Sequence, residues 1–156
     1  MKSKLSAGRL APKRSQGSHV TAGKIDPAMV IKSVSDDSAG GLVLFLGTVR
    51  NRSEGKEVKG LQYETYRDMT EKRLAAVEEE VRSRWRVSKI AVVHREGRLR
   101  VGEISVAVAV SSEHRAEAFE AARFAIDQIK TSAPIWKKEV LSDGQRHWVD
   151  GAQIQG

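Results

Sequence analysis

The stretch Lys130-Thr-Ser-Ala-Pro-Ile-Trp-Lys137-Lys-Glu139 sets two primary amines on either side of a proline. A helical apolar period ends at Lys130, Pro134 forbids its continuation, and strand-like residues begin at Ile135, so the two lysines flank one tight reversal. Such a corner aims two ammonium groups at one spot. There they can hold an anion, stabilise developing negative charge or, with a lowered pKa, exchange protons. The same spacing also fits a plainer arrangement, in which Lys130 complements the negative end of its helix while Lys137 and Lys138 are solvated. Alternation puts Ile135, Lys137 and Glu139 on one strand face and Trp136, Lys138 and Val140 on the other, without saying which face meets a ligand.

Further cations stand at element ends. Arg50 follows an apolar run and precedes a polar loop, a place where a scaffold presents side chains. His114 and Arg115 fall in the first turn of a long helix, where they oppose the dipole and an anionic ligand would compensate them. The remaining histidines read as scaffold: His19 in a tail, His94 at a hairpin corner, His147 in a terminal hairpin. No two histidines have a metal-ligand spacing, so no metal is expected. The chain has no cysteine, which excludes disulfides, thiolate metal sites and a self-borne persulfide.

The elements that must position these residues follow in order. Asp26-Pro27 starts a short helix over 28–34, and a continuous apolar run over 42–49 reads as a strand covered on both faces. Residues 51–57 read as a mobile loop before a strand over 58–66. Asp68 and Glu71 make a capping-box-like start for a helix whose apolar stripe is Leu74, Val77, Val81 and Trp85. Strands over 89–94 and 104–110 form a hairpin. Ser112 then caps a helix with Phe119, Ala122, Ile126 and Ile129 as its buried stripe, and strands over 135–141 and 146–149 close the chain around Asp143-Gly144. From residue 58 on, the order strand, helix, strand, strand, helix, strand is that of a ferredoxin-like split β-α-β core of the α+β class, with extra strands.

Phe45-Leu-Gly-Thr-Val-Arg50, Tyr63-Glu-x-Tyr66, Met69-Thr-Glu-Lys72, Val93-His-Arg95-x-Gly97, Ser111-Ser-x-His114-Arg115 and Lys130-x-x-x-Pro-Ile-Trp-Lys137-Lys-Glu139 occur in one order over roughly residues 40 to 150. Together they resemble the large, catalytic subunit of molybdopterin synthase, the MoaE family. The resemblance implies an α/β hammerhead fold and sulfur transfer onto cyclic pyranopterin monophosphate to build a dithiolene. It implies no resident cofactor, and a small ubiquitin-like sulfur-carrier subunit whose C-terminal Gly-Gly thiocarboxylate donates the sulfur. Two large subunits would pair within a heterotetramer. Lys130 and Lys137 would be catalytic. Thr48, Val49, Arg50, His114, Arg115, Lys138 and Glu139 would join them in binding substrate, with His114 and Arg115 able to serve a neighbouring chain's pocket.

At 156 residues the chain fits one domain, expected over 25–151, with short flanks. Lys2, Lys4, Arg9, Lys13, Arg14 and Lys24 stand in the first 24 residues without an acid, so most of the net charge of +7 lies there. That segment reads as a disordered basic tail whose composition also permits an organelle transit peptide; residues 152–156 read as a C-terminal tail. A cytoplasmic protein with no membrane contact is expected. Two rival functions are an RNA-binding module, disfavoured because 104–110 lacks the paired aromatics of RNA-binding strands, and a catalytically silent scaffold.

Overall fold

The structure, a computed structural model, describes residues 18–149. The expected tails at 1–17 and 152–156 lie outside the described residues. The stretch Ser18–Lys24, expected to belong to the basic tail, is instead built into the domain: β1 (Val20–Thr21) pairs in parallel with the edge of the main sheet and Val20 is fully buried. A single apolar residue sets no period, which is why local reading passed over it.

Asp26 caps α1 (Pro27–Val34) by accepting the Ala28 N–H at 3.0 Å. Among the described residues β2 (Gly41–Thr48) pairs only with β7 and so lies at a sheet edge, which leaves Leu42 and Phe45 more than a third exposed instead of covered. The expected loop after Arg50 is a hairpin of β3 (Arg52–Ser53) and β4 (Lys56–Thr65). Its turn residues Glu54 and Gly55 both take positive φ, 49° and 79°, the twist that matches a two-residue hairpin.

α2 (Arg67–Arg84) begins after Tyr66 without a side-chain cap, and Trp85 is its C-cap rather than part of its stripe. The capping box does not form. Glu71 turns to the N-terminal strand and accepts the His19 and Val20 N–H groups at 2.9 and 3.0 Å. β5 (Lys89–Arg95) and β7 (Ile104–Ser112) form the expected antiparallel pair, while β6 (Gly97–Arg100) leaves them to join β4. α3 (Arg115–Ser132) starts at His114; Ser112 ends β7 and donates its hydroxyl to the Arg86 carbonyl. Phe119 faces outward, and Ala118, Ala121, Ala122 and Ala125 with Ile126 and Ile129 make the buried stripe. β8 (Ile135–Leu141) and β9 (Arg146–Trp148) close the chain.

The class is α+β, and the split pattern is expressed as two antiparallel pairs, β5–β7 and β4–β8, placed in two sheets. One sheet has the order β1-β5-β7-β2, with β2 beside β7. The other has the order β3-β4-β8-β9, with β6 paired to β4. Leu74, Val77 and Val81 of α2 meet Ile90, Val92, Val106, Val108 and Val110 of the first sheet and the alanine face of α3. Each fully buried side chain of this kind contributes about 1.5–3 kcal/mol. The second sheet has a smaller core of Val49, Val58, Leu61, Leu99 and Leu141. Among the described residues no helix is long and apolar enough to cross a membrane.

Candidate functional site

α3 runs back along β7, so its last turn arrives at the end of the molecule where β7 begins and β2 finishes. Lys130 sits in that last turn. Ala133 caps the helix by donating its N–H to the Ile129 carbonyl, and Pro134 prevents another turn. The Pro134 carbonyl accepts the Tyr66 N–H at 3.3 Å and the Thr70 hydroxyl at 3.2 Å, so the start of α2 clamps the reversal. β8 then leaves with Ile135, Glu139 and Leu141 buried, Lys137 half-buried between them, and Lys137 opposite Tyr63 of β4.

A pocket opens between this corner and the two sheets. It is lined by Tyr63, His94, Ser105, Val106, Ile126, Ile129, Lys130, Ala133, Ile135 and Lys137. Burial pushes the Lys130 ammonium below the usual lysine range, and the positive field of Arg50 adds to the effect. Lys137 is lowered as well, first by burial and then by Lys130 and Arg50, against the opposing pull of the Glu139 carboxylate. Glu139 is itself buried and lies 3.2 Å from the His147 Nε2. The two amines and Arg50 thus form one coupled cationic group, in which a lowered amine can give up a proton near neutrality more readily than a solvated lysine.

His94 supplies the neutral member. It is buried, its Nδ1 lies 2.7 Å from the Arg95 carbonyl, and its ring packs edge-on against Tyr63 at 5.0 Å. A carbonyl can only accept, so Nδ1 carries the hydrogen and the other ring nitrogen keeps its lone pair. Burial, followed by the charge of Lys130, holds the imidazole down to about 4. Burial likewise raises the Tyr63 phenol, and the Ser105 hydroxyl against it works the other way. The Ser105 hydroxyl lies 3.2 Å from the Gly47 carbonyl, to which it donates.

Lys130 and Lys137 therefore line one pocket, with the buried Glu139 two residues along the same strand face and the exposed Arg50 outside the lining but close enough for its charge to act on both amines. The other sequence candidates lie elsewhere. Val49 is buried in the smaller core, with its N–H on the Glu103 carbonyl and its own carbonyl on the Gly102 N–H. Thr48 is exposed at a register shift of β2 and does not line the pocket. Lys138 lies on the opposite face of β8, with its Nζ 4.4 Å above the Trp148 ring. His114 and Arg115 stand exposed at the far end of α3, about 22 Å of helix from Lys130 at 1.5 Å per residue. The first-turn argument for an anion at these two residues does not place that anion in this chain's own pocket.

Sequence reasoning left His94 as a hairpin-corner residue and gave no role to Tyr63 or Ser105. The signal for His94 and Tyr63 was membership of the Val93-His-Arg95 and Tyr63-Glu-x-Tyr66 motifs, and Ser105 had none, since alternation does not name the element across the gap.

The MoaE protein model matches residues 20–132, a span that takes in β1 and all but the last two strands. The molybdopterin synthase catalytic subunit of Halalkalibacterium halodurans is 45% identical over 126 residues, covering 81% of this chain and 80% of that protein. The crystal structure of molybdopterin synthase from Staphylococcus aureus superposes with a TM-score of 0.80 at 34% identity, covering 85% of this chain and 96% of that one. A chain from the complex of subunits 1 and 2 of molybdopterin-converting factor from Helicobacter pylori shares the fold at a TM-score of 0.69 and 20% identity, over 84% and 88% of the two chains. With sequence and fold matched over most of its length, the chain belongs to the MoaE protein family.

Proposed function

We propose that the chain is the catalytic subunit of a molybdopterin synthase, transferring sulfur from the thiocarboxylated Gly-Gly end of a small ubiquitin-like subunit to cyclic pyranopterin monophosphate. The observation that carries this is the corner itself: two half-buried amines, Lys130 and Lys137, face one pocket beside Arg50 and a neutral His94. Donor and acceptor are both anionic, and both are drawn to such a pocket. A sulfur-transferring chain without cysteine has no thiol to carry the sulfur and takes it from a loaded partner. No resident cofactor or metal is called for.

In this reading the thiocarboxylate sulfur bonds to the attacked carbon, water then cleaves the sulfur–acyl bond to release the small subunit as a carboxylate, and Lys130 and Lys137 stabilise the negative charge that develops in both steps and take up and return the protons. The His94 lone pair accepts a hydrogen bond from Lys130 or from the substrate without adding charge. Arg50 holds the phosphate together with His114 and Arg115 of a second copy, because within one chain those two residues lie too far away. The exposed Leu42 and Phe45 of β2, beside that end of α3, are the surface for the second copy, giving a pair of large subunits with a small one on each.

The test is a mixing experiment. The chain with cyclic pyranopterin monophosphate should be inactive alone, and should form the dithiolene product when the thiocarboxylated small subunit is added. Turnover with the chain and sulfide alone would overturn the reading, and inactivity of the complete mixture would return it to a silent scaffold.

A further inference from the structure

Glu139 is a buried carboxylate with a basic residue on either side of it, and the strands decide which one it meets. Lys137 precedes it by two residues on the same face of β8, and His147 stands directly across from it on β9. The side chain takes the second. Its Oε1 lies 3.2 Å from the His147 Nε2, whereas among the described residues no carboxylate stands at ion-pair distance from Lys137. A carboxylate only accepts, so Nε2 carries the hydrogen and donates it whether or not the ring is charged.

The short strand β9 is tied down beside this pair. The Val149 N–H donates to the Lys137 carbonyl at 2.9 Å, the Val149 side chain is buried, and Lys138 lies over the Trp148 ring on the other face. Few other ionisable groups face Lys137 and Glu139. On β4, Leu61 stands opposite Glu139 and Tyr63 opposite Lys137, and beyond them β6 contributes only Leu99 and Gly97. Burial raises the Tyr63 phenol and keeps it neutral, and the neutral His94 packs against it. Lys130 of α3 and Arg50 after β2 act on Lys137 by charge.

A buried carboxylate in contact with an amine favours the ammonium form. Direct pairing with Glu139 would therefore hold the proton on Lys137. The amine instead stays below the usual lysine range, with burial and Lys130 ahead of the opposing pull of Glu139. We propose that His147 is a positioning residue for the sulfur-transfer site: it draws the Glu139 carboxylate toward β9, so that Lys137 keeps an unpaired amine able to exchange protons. This rests on the function proposed above. It gives a role to a histidine whose place in the sequence marked only a terminal hairpin. A protonated His147 adds charge to the hydrogen bond and tightens the hold, while the neutral ring keeps the bond without the charge.

The experiment follows the Lys137 amine in the free chain by NMR titration, read at its Cε, together with turnover of the complete mixture against pH. His147→Ala releases the carboxylate to pair with Lys137. The Lys137 midpoint should rise by about one pH unit, and the limb on which turnover increases with pH should move with it, about a 10-fold loss of turnover at a given pH on that limb. His147→Leu, which fills the space without a donor, should match His147→Ala, and an unchanged melting temperature excludes misfolding. His147→Gln keeps a side-chain N–H and should bring turnover back to within about twofold of wild type. In a Glu139→Gln background, His147→Ala should move the Lys137 midpoint no further, because the carboxylate it releases is gone. A midpoint that stays at its wild-type value in both His147→Ala and His147→Leu, or one that moves equally with and without the Glu139 carboxylate, would overturn the positioning role and leave the proposed function standing. A midpoint that rises as expected in a chain whose complete mixture is inactive would uphold the hold on Glu139 and overturn the function instead.

Discussion

The first sheet packs against all three helices, and its central strand β7 is buried along almost its whole length; the second sheet has one face without a helix and carries cations on both. Apart from the short parallel strand β1, both are antiparallel, and both turn on short glycine-bearing connections. They differ in what their side chains are asked to do. Valines and alanines in the first sheet remove apolar area from water, which is where folding free energy accumulates. In the second, Lys137 is held half-buried and Arg98, Arg100 and Lys59 are left without carboxylates, which lowers stability and creates potential for anions. The division separates what holds the molecule together from what it uses. The pocket lies at the seam, with His94 contributed by the first sheet and Tyr63 and Lys137 by the second.

The sharpest way to break this division is at the corner. Lys137→Ala and Lys130→Ala should each lower turnover by about 100-fold or more, the scale of removing one group that stabilises transition-state charge, while thermal stability holds or rises because a half-buried charge is gone. Lys137→Arg keeps the charge without a titratable amine, so it stays poorly active if proton transfer is required. Steady-state kinetics with a melting curve on the same samples decides it, and a loss of folding in step with activity would erase the separation.

The converse is a core change. Leu74 is fully buried beneath the first sheet, and Leu74→Ala should cost about 3 kcal/mol by denaturant titration. The fraction that remains folded should turn over at a near-normal rate. A large fall in turnover per folded molecule would mean that the core tunes the pocket.

His94 tests the seam through pH. Its imidazole titrates at about 4 in the fold against 6.5 in an unfolded chain. Above pH 6.5 neither state holds the proton and nothing is lost. As the pH falls below 6.5 the unfolded chain takes up a proton that the fold refuses, and stability declines until about pH 4, by about 3 kcal/mol in all. Denaturant titrations at pH 7.5 and 4.5 should show a decline smaller by about 2–3 kcal/mol in His94→Gln than in wild type. Parallel declines would mean that this histidine is not held neutral.

The smallest effect is expected at Lys138, on the face of β8 away from the pocket. Lys138→Ala removes an ammonium over the half-exposed Trp148 ring, worth about 0.5–1 kcal/mol, and should leave turnover unchanged. If Lys138→Ala matched Lys137→Ala in turnover, the two faces of β8 would be equivalent and the corner would be a solvated basic turn.

Sequence alone determined the features that one turn or one period can encode. Pro134 stopping the helix after Lys130, Asp26 capping the helix at Pro27, and the alternation that sets Lys137 with Glu139 against Lys138 all follow from sterics and hydrogen bonding between near neighbours. The same local rules misread Ser112, Glu71 and Phe119. The hydroxyl and the carboxylate found partners in Arg86, His19 and Val20 that lie far off in sequence, and α3 turned its alanines inward because the approach of β7 and α2 leaves little room there. Only tertiary structure decided that β2 lies beside β7, that Val20 completes the sheet edge, that His94 stands neutral against Lys130, and that His114 and Arg115 end a helix length away from the pocket their motif accompanies. Those outcomes depend on which strands pair and how two sheets meet, contacts whose loop-closure cost and burial gain are settled by the whole chain at once and leave no period in any one stretch of it.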